Sequence, residues 1–128
     1  MNKQELIQKY HQFLTVNNLL AEDVVVGAGG VMCLLGLREQ TEDIDVDVPK
    51  DIFDHFAAGG YPSHMFGDVK VIGVTDYIDL HLRTNTGQTV LTDGVCHYTP
   101  EVTLAFKRRL NRPKDQSDIA ALERYLAA

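Results

Sequence analysis

Apolar positions over residues 3–20 fall at Leu6, Ile7, Tyr10, Phe13, Leu14 and Leu19. The steps are mostly three and four, the repeat of an amphipathic helix with one face on a core. Asn17-Asn18 marks its end. After a short link, Val24–Val26 is a β-branched run suited to a buried strand spanning about 23–27. Gly27, Gly29 and Gly30 then make a turn, and Val31–Leu37 reads as a helix that ends near Gly36. From Asp43 the period switches to two. Asp43, Asp45 and Asp47 alternate with Ile44, Val46 and Val48, so a strand here puts carboxylates on one face and aliphatic groups on the other. Pro49 stops it.

Beyond Pro49, Lys50–Ala58 predicts a short helix, broken at Gly59-Gly60-Tyr61-Pro62. Residues 64–74 alternate as one strand, with a turn or bulge at 73–76. Residues 77–83 alternate cleanly, Ile78, Leu80 and Leu82 against Asp79, His81 and Arg83. Thr89–Leu91 and Val95–Tyr98 predict two small strands around Asp93-Gly94. Thr99-Pro100-Glu101 opens a helix that ends at Asn111-Arg112-Pro113, and a last helix covers about 114–126. These elements predict an α/β (α+β) fold, a small mixed sheet flanked by helices. With no repeat and no linker, 128 residues make a single domain over 1–128.

A net charge of −6 gives the chain no general attraction to nucleic acid. Any such contact needs a local basic patch, and the dense one is Lys107-Arg108-Arg109 with Arg112 and Lys114. No apolar run approaches the roughly 20 residues of a membrane span, and no leader-like segment opens the chain, so a cytoplasmic protein is expected. Cys33 and Cys96 form no CxxC pair, and Cys33 reads as a small buried hydrophobe. The histidines show no HExxH spacing, and neither Ser63 nor Ser117 sits in a nucleophile elbow, which argues against zinc-protease and serine-hydrolase chemistry.

The acidic strand carries the candidate chemistry. Closely spaced carboxylates repel unless a cation lies between them, and a hard divalent ion takes one or two carboxylates plus waters and substrate phosphates. Residues i and i+2 of a strand lie about 6.5–7 Å apart, close enough to share an ion or bracket a pair. A half-exposed strand with a solvated acidic face reads equally well from the aspartates alone. The glycines before the helix offer an anion turn or plain turn chemistry. Arg38 would hold a phosphate or pair with an aspartate, and His81 shares a strand face with Asp79.

Taken in order, strand, Gly29-Gly30, helix, Arg38-x-x-Thr41-x-Asp43-x-Asp45, then Ile78-Asp79-Leu80, the chain resembles the DNA polymerase β-like nucleotidyltransferase superfamily. Twelve residues separate the glycine pair from Asp43. The pattern looks most like the branch of AbiEii-type toxins and small antibiotic nucleotidyltransferases, and Lys107, Lys114-Asp115 and Asp118-Ile119 are similar to that branch's closing helices. The resemblance implies a nucleotidyltransferase-like fold in which Asp43, Asp45 and Asp79 are the catalytic, metal-binding carboxylates. Asp79 would act as base or complete a second metal site. Gly29 and Gly30 would admit the triphosphate, and Arg38 and Lys107 would be nucleotide-binding cations. It implies Mg²⁺ or Mn²⁺ as cofactor and an NTP, ATP among them, as substrate. The nucleoside monophosphate would pass to a hydroxyl of an RNA end such as tRNA, a protein side chain or a small molecule by two-metal catalysis.

Two departures bear on this reading. The turn reads Gly-Ala-Gly-Gly, without the serine of many relatives. Only two short helices follow the sheet, so a partner chain or a homo-oligomer would complete acceptor recognition. A non-catalytic module of the same fold, an antitoxin or nucleotide-binding partner protein, is the alternative. Asp47 is expected to be a solvated bystander at the strand end.

Overall fold

A computed structural model describes residues 1–128 as five α-helices and a seven-stranded mixed sheet. The helices are α1 (Lys3–Asn17), α2 (Ala28–Leu34), α3 (Lys50–Ala57), α4 (Pro100–Leu110) and α5 (Gln116–Ala127). The strands are β1 (Val25–Val26), β2 (Ile44–Val48), β3 (Ser63–Phe66), β4 (Val69–Gly73), β5 (Ile78–Leu82), β6 (Thr89–Thr92) and β7 (Val95–Tyr98). They lie in the order β3-β4-β5-β2-β1-β7-β6. This is the expected mixed α/β architecture, with an open sheet flanked by helices.

Local chemistry accounts for most element boundaries. Asn2 caps α1, its side chain accepting from the Glu5 N–H while Glu5 reaches back to the Asn2 N–H. Asn18 closes that helix in the left-handed conformation. Thr99 caps α4, with Pro100 at its first position, and Asn111 ends it with φ 46°. The β6–β7 hairpin turns on Asp93 and Gly94, both at positive φ, the two-residue turn whose twist suits paired strands.

One expectation fails. Residues 64–74 are not one strand but a hairpin, β3 and β4 reversing at Gly67-Asp68. Gly67 adopts φ 62°, and the Gly-Asp pair between apolar runs was the available turn signal.

The pleat separates two chemical faces. Val24, Val26, Ile44, Val46, Val48, Ile78 and Leu80 face one side, where Leu6, Tyr10, Phe13 and Leu14 of α1 and Phe53 and Phe56 of α3 cover them in the main core. On the other side, Val102 of α4 packs against Val25, Cys96 and Tyr98. Met32, Leu104, Ile119 and Leu122 join α2, α4 and α5 in a second cluster. No helix of this fold is long and apolar enough to cross a membrane. Cys33 and Cys96 are both buried free thiols.

Candidate functional site

The central strands place the acids. β2 and β5 run parallel in full register, with Asp45 opposite Asp79 and Asp47 opposite His81. Neighbouring strands lie about 4.8 Å apart, so Asp45 and Asp79 sit side by side on the sheet face that α1 and α3 leave uncovered. Asp43 immediately precedes β2 on that face. Asp43, Asp45, Asp47, Asp79 and His81 all line a cleft of about 580 Å³. Its other walls are the β3–β4 hairpin, with His64, Phe66, Val69 and Val71, and the α4–α5 corner, with Phe106, Arg109, Arg112 and Lys114. A hollow of about 220 Å³ between the end of α1 and α3 is less than half that size and touches none of these acids.

Electrostatics mark the acids as unsatisfied. Desolvation, then the charge of Asp45, raises the Asp79 carboxyl above its ordinary 3.8, and Asp43 adds to the rise. Asp43 is raised by the same causes, desolvation first and Asp45 next. No Lys or Arg side chain pairs with either. Asp45 has one partner, His81, whose Nε2 lies 3.2 Å from Oδ1. Burial alone would lower the His81 pKa, but the Asp45 contact and the nearby Asp45, Asp47 and Asp79 charges outweigh it and raise it.

Asp47 is not the solvated bystander its position at the strand end suggested. The Tyr98 hydroxyl donates to its Oδ2 at 2.5 Å. Desolvation nevertheless leaves its pKa raised, the Tyr98 bond only partly opposing it. The period-two pattern placed Asp47 on the acid face, but only the parallel β1–β7 pairing brings Tyr98 to it.

The cations chosen from sequence lie elsewhere. Arg38 forms a close ion pair with Asp118. Lys107 is 4% exposed, its Nζ 3.0 Å from Asp118 Oδ2 and 3.4 Å from Asp115 Oδ1. Arg112 grips Asp115 with Nε at 2.8 Å and Nη2 at 3.1 Å. These residues form a buried ion network tying the α2 loop to α4 and α5. Neither Arg38 nor Lys107 lines the cleft; both contact aspartates, which for Arg38 is one of the two roles its position in the sequence offered. A spacing signal for Lys107 existed, because it lies four residues after buried Thr103 and three after buried Leu104, on the inward face of α4.

Gly30 is packed against β1, and Gly29 lies under the tip of Arg38. A Cβ on Gly29 would come 2.6 Å from Arg38 Nη1, and one on Gly30 would meet Val26 Cγ1 at 2.6 Å. Gly27 and Ala28 line the cleft instead, and Ala28 is held at φ 51°, a conformation that disfavours side chains.

The donor set suits a hard divalent ion, with carboxylate oxygens on adjacent strands and no fixed positive charge between Asp43 and Asp79. No three His, Cys, Asp or Glu side chains form a ready-made metal cage. An ion here would complete its shell with waters and with oxygens of its ligand. Comparison of the chain with known protein families, curated proteins and solved structures finds no match.

Proposed function

We propose that the protein is a metal-dependent nucleotidyltransferase that moves a nucleoside monophosphate from an NTP to a hydroxyl acceptor. The observation that supports this best is the β2–β5 register, which sets Asp45 beside Asp79 on an open face with Asp43 at its edge. Asp43, Asp45 and Asp79 would hold Mg²⁺ or Mn²⁺. Such an ion supplies positive charge against the triphosphate and the leaving pyrophosphate. The acceptor oxygen forms a bond to the α-phosphorus, the bond from that phosphorus to the bridging oxygen breaks, and pyrophosphate departs. Asp79, beside Asp45 on the neighbouring strand, would take the hydroxyl proton or complete the site of a second ion. His81 orients Asp45 through its 3.2 Å contact. Positioning and charge compensation are what phosphoryl transfer asks of a protein.

The test is transfer of label from each of the four NTPs, with Mg²⁺ or Mn²⁺, into an acceptor extract of RNA, protein and small molecules. Wild type should transfer label. Asp43→Asn with Asp45→Asn should not, while keeping its fold by circular dichroism. Absence of metal-dependent nucleotide binding and of transfer with all four nucleotides would sink the proposal.

A second reading has its own observation. All residues of edge strand β3 are exposed, Met65 at 61% and Phe66 at 57%. Such an edge suits strand addition by a partner chain, as in a non-catalytic antitoxin-like module. That reading requires partner binding to survive Asp43→Asn with Asp45→Asn and to fail when Met65 and Phe66 become Lys.

A further inference from the structure

We infer that Arg109, Arg112 and Lys114 form the polyphosphate-binding wall of the cleft, in place of Gly29, Gly30 and Lys107. This deepens the nucleotide reading and rests on it for the identity of the natural ligand. The cleft is chemically two-sided. Asp43, Asp45 and Asp79 lie on the sheet, and Arg109, Arg112 and Lys114 lie on the opposite α4–α5 corner. The corner's geometry collects these side chains. α4 ends at Asn111 with φ 46°, and Pro113–Asp115 forms a tight turn, so the chain reverses between Arg109 and Lys114.

The three cations differ in how they are held. Arg109 and Lys114 are exposed and have no carboxylate partner, although the chain carries 18 acidic residues against 12 basic ones. Arg109 is stacked over its own helix neighbour Phe106, its guanidinium carbon 5.7 Å from the ring centre. Arg112 is fixed from behind, Nε and Nη2 committed to Asp115 and the head reaching the cleft. Asp115 is in turn 2% exposed and held by Lys107, so Arg112 is pre-organised by the buried network. A guanidinium held this way loses little entropy when it meets an anion.

Only one ligand class satisfies both walls together, a polyanion that brings a divalent cation with it. The metal would face the aspartates and the phosphoryl oxygens the arginines and lysine. A bare monoanion would leave the acids uncompensated. A bare cation would leave Arg109 and Lys114 without counter-charge.

Calorimetric titration with inorganic tripolyphosphate in Mg²⁺ tests this without knowing the nucleotide. Wild type should bind, and binding should weaken stepwise through pyrophosphate to orthophosphate. Arg109→Ala with Lys114→Ala should weaken tripolyphosphate binding roughly tenfold or more, as loss of charge-assisted contacts predicts. Its thermal midpoint should not move, because neither side chain is buried. Arg112→Lys, which keeps the charge and loses the two-toothed grip on Asp115, should fall between. Equal binding by wild type and the double variant, or no binding by wild type, overturns the inference. The outcomes separate from those for transfer. Loss of label transfer in the aspartate variant with unchanged tripolyphosphate binding by Arg109→Ala/Lys114→Ala keeps the enzyme and discards the wall. Tripolyphosphate binding that needs the wall but ignores Mg²⁺ and the aspartates keeps the wall and discards the enzyme.

Discussion

The acid wall of the cleft and the ion network behind α4 are built from the same residue types and are in opposite electrical states. In the network, Asp115 is buried between Arg112 and Lys107, and the Arg112 hydrogen bonds hold its carboxyl down to about 2. In the cleft, Asp43 and Asp79 are partly solvated and their carboxyls are pushed up, by desolvation and by Asp45. Paired charges cement helices together. Unpaired like charges are a standing cost that a ligand can remove. A charged residue's role is therefore read from what neutralises it, and the difference separates scaffold from site in this molecule.

Breaking the network should have the largest effect. Lys107→Met leaves Asp115 and Asp118 buried with one cation fewer and should cost about 3 kcal/mol in urea unfolding, since stripping a partner from a buried pair strands a charge. Arg109→Ala on the same helix should cost less than about 0.5 kcal/mol, as an exposed position does. Equal costs would erase the distinction between the two regions.

Acid titration should sharpen it next, because the two regions respond with opposite signs. Asp115 is depressed when folded, so its stabilisation is present above 3.8 and is lost as pH falls toward about 2. That loss amounts to about 2 kcal/mol. Asp43, Asp47 and Asp79 are raised when folded, so the native state takes up their protons first and gains stability as pH falls toward 3.8. Unfolding free energy should therefore pass through a maximum on the acid side of neutrality and then collapse. A curve that falls monotonically from pH 7 contradicts the assignment of strain to the cleft.

A smaller effect is expected at Tyr98. Tyr98→Phe removes the hydroxyl that donates to Asp47 and should cost about 1 kcal/mol. It should also push the Asp47 carboxyl still higher, because that bond is what opposes desolvation there. Carboxyl carbon shifts in a pH series of NMR spectra would read this directly, and an unchanged Asp47 titration would refute the pairing.

Much of the architecture was legible in the chain. The period of two in Asp43–Val48 and Tyr77–Arg83 located β2 and β5 and assigned their faces. Thr99-Pro100 and Asp93-Gly94 marked a helix start and a hairpin. The carboxylates chosen from that pattern do share one cleft. What was not legible is long-range. Strand order decides that Asp45 meets Asp79 and that Tyr98 reaches Asp47, and neither follows from local periodicity. The choice of Arg38 and Lys107 over Arg109, Arg112 and Lys114 shows the same limit. All are cations near the right elements, and only the packing of α4 and α5 decides that Arg38 and Lys107 sit on aspartates away from the cleft, that Arg112 grips Asp115 while reaching the cleft, and that Arg109 and Lys114 line it.

The most direct test of the central claim, that the unpaired acids await a cation, is calorimetric Mn²⁺ titration of the full chain at neutral pH, with and without ATP. Wild type should bind Mn²⁺, more tightly when the nucleotide is present. Asp43→Asn with Asp45→Asn should abolish the protein's share of that binding, taken after subtracting Mn²⁺ titrated into ATP alone, while leaving the thermal midpoint without metal unchanged or higher, because repulsion is relieved. Binding that persists in the variant, or a wild type indifferent to Mn²⁺ in either condition, would contradict the account.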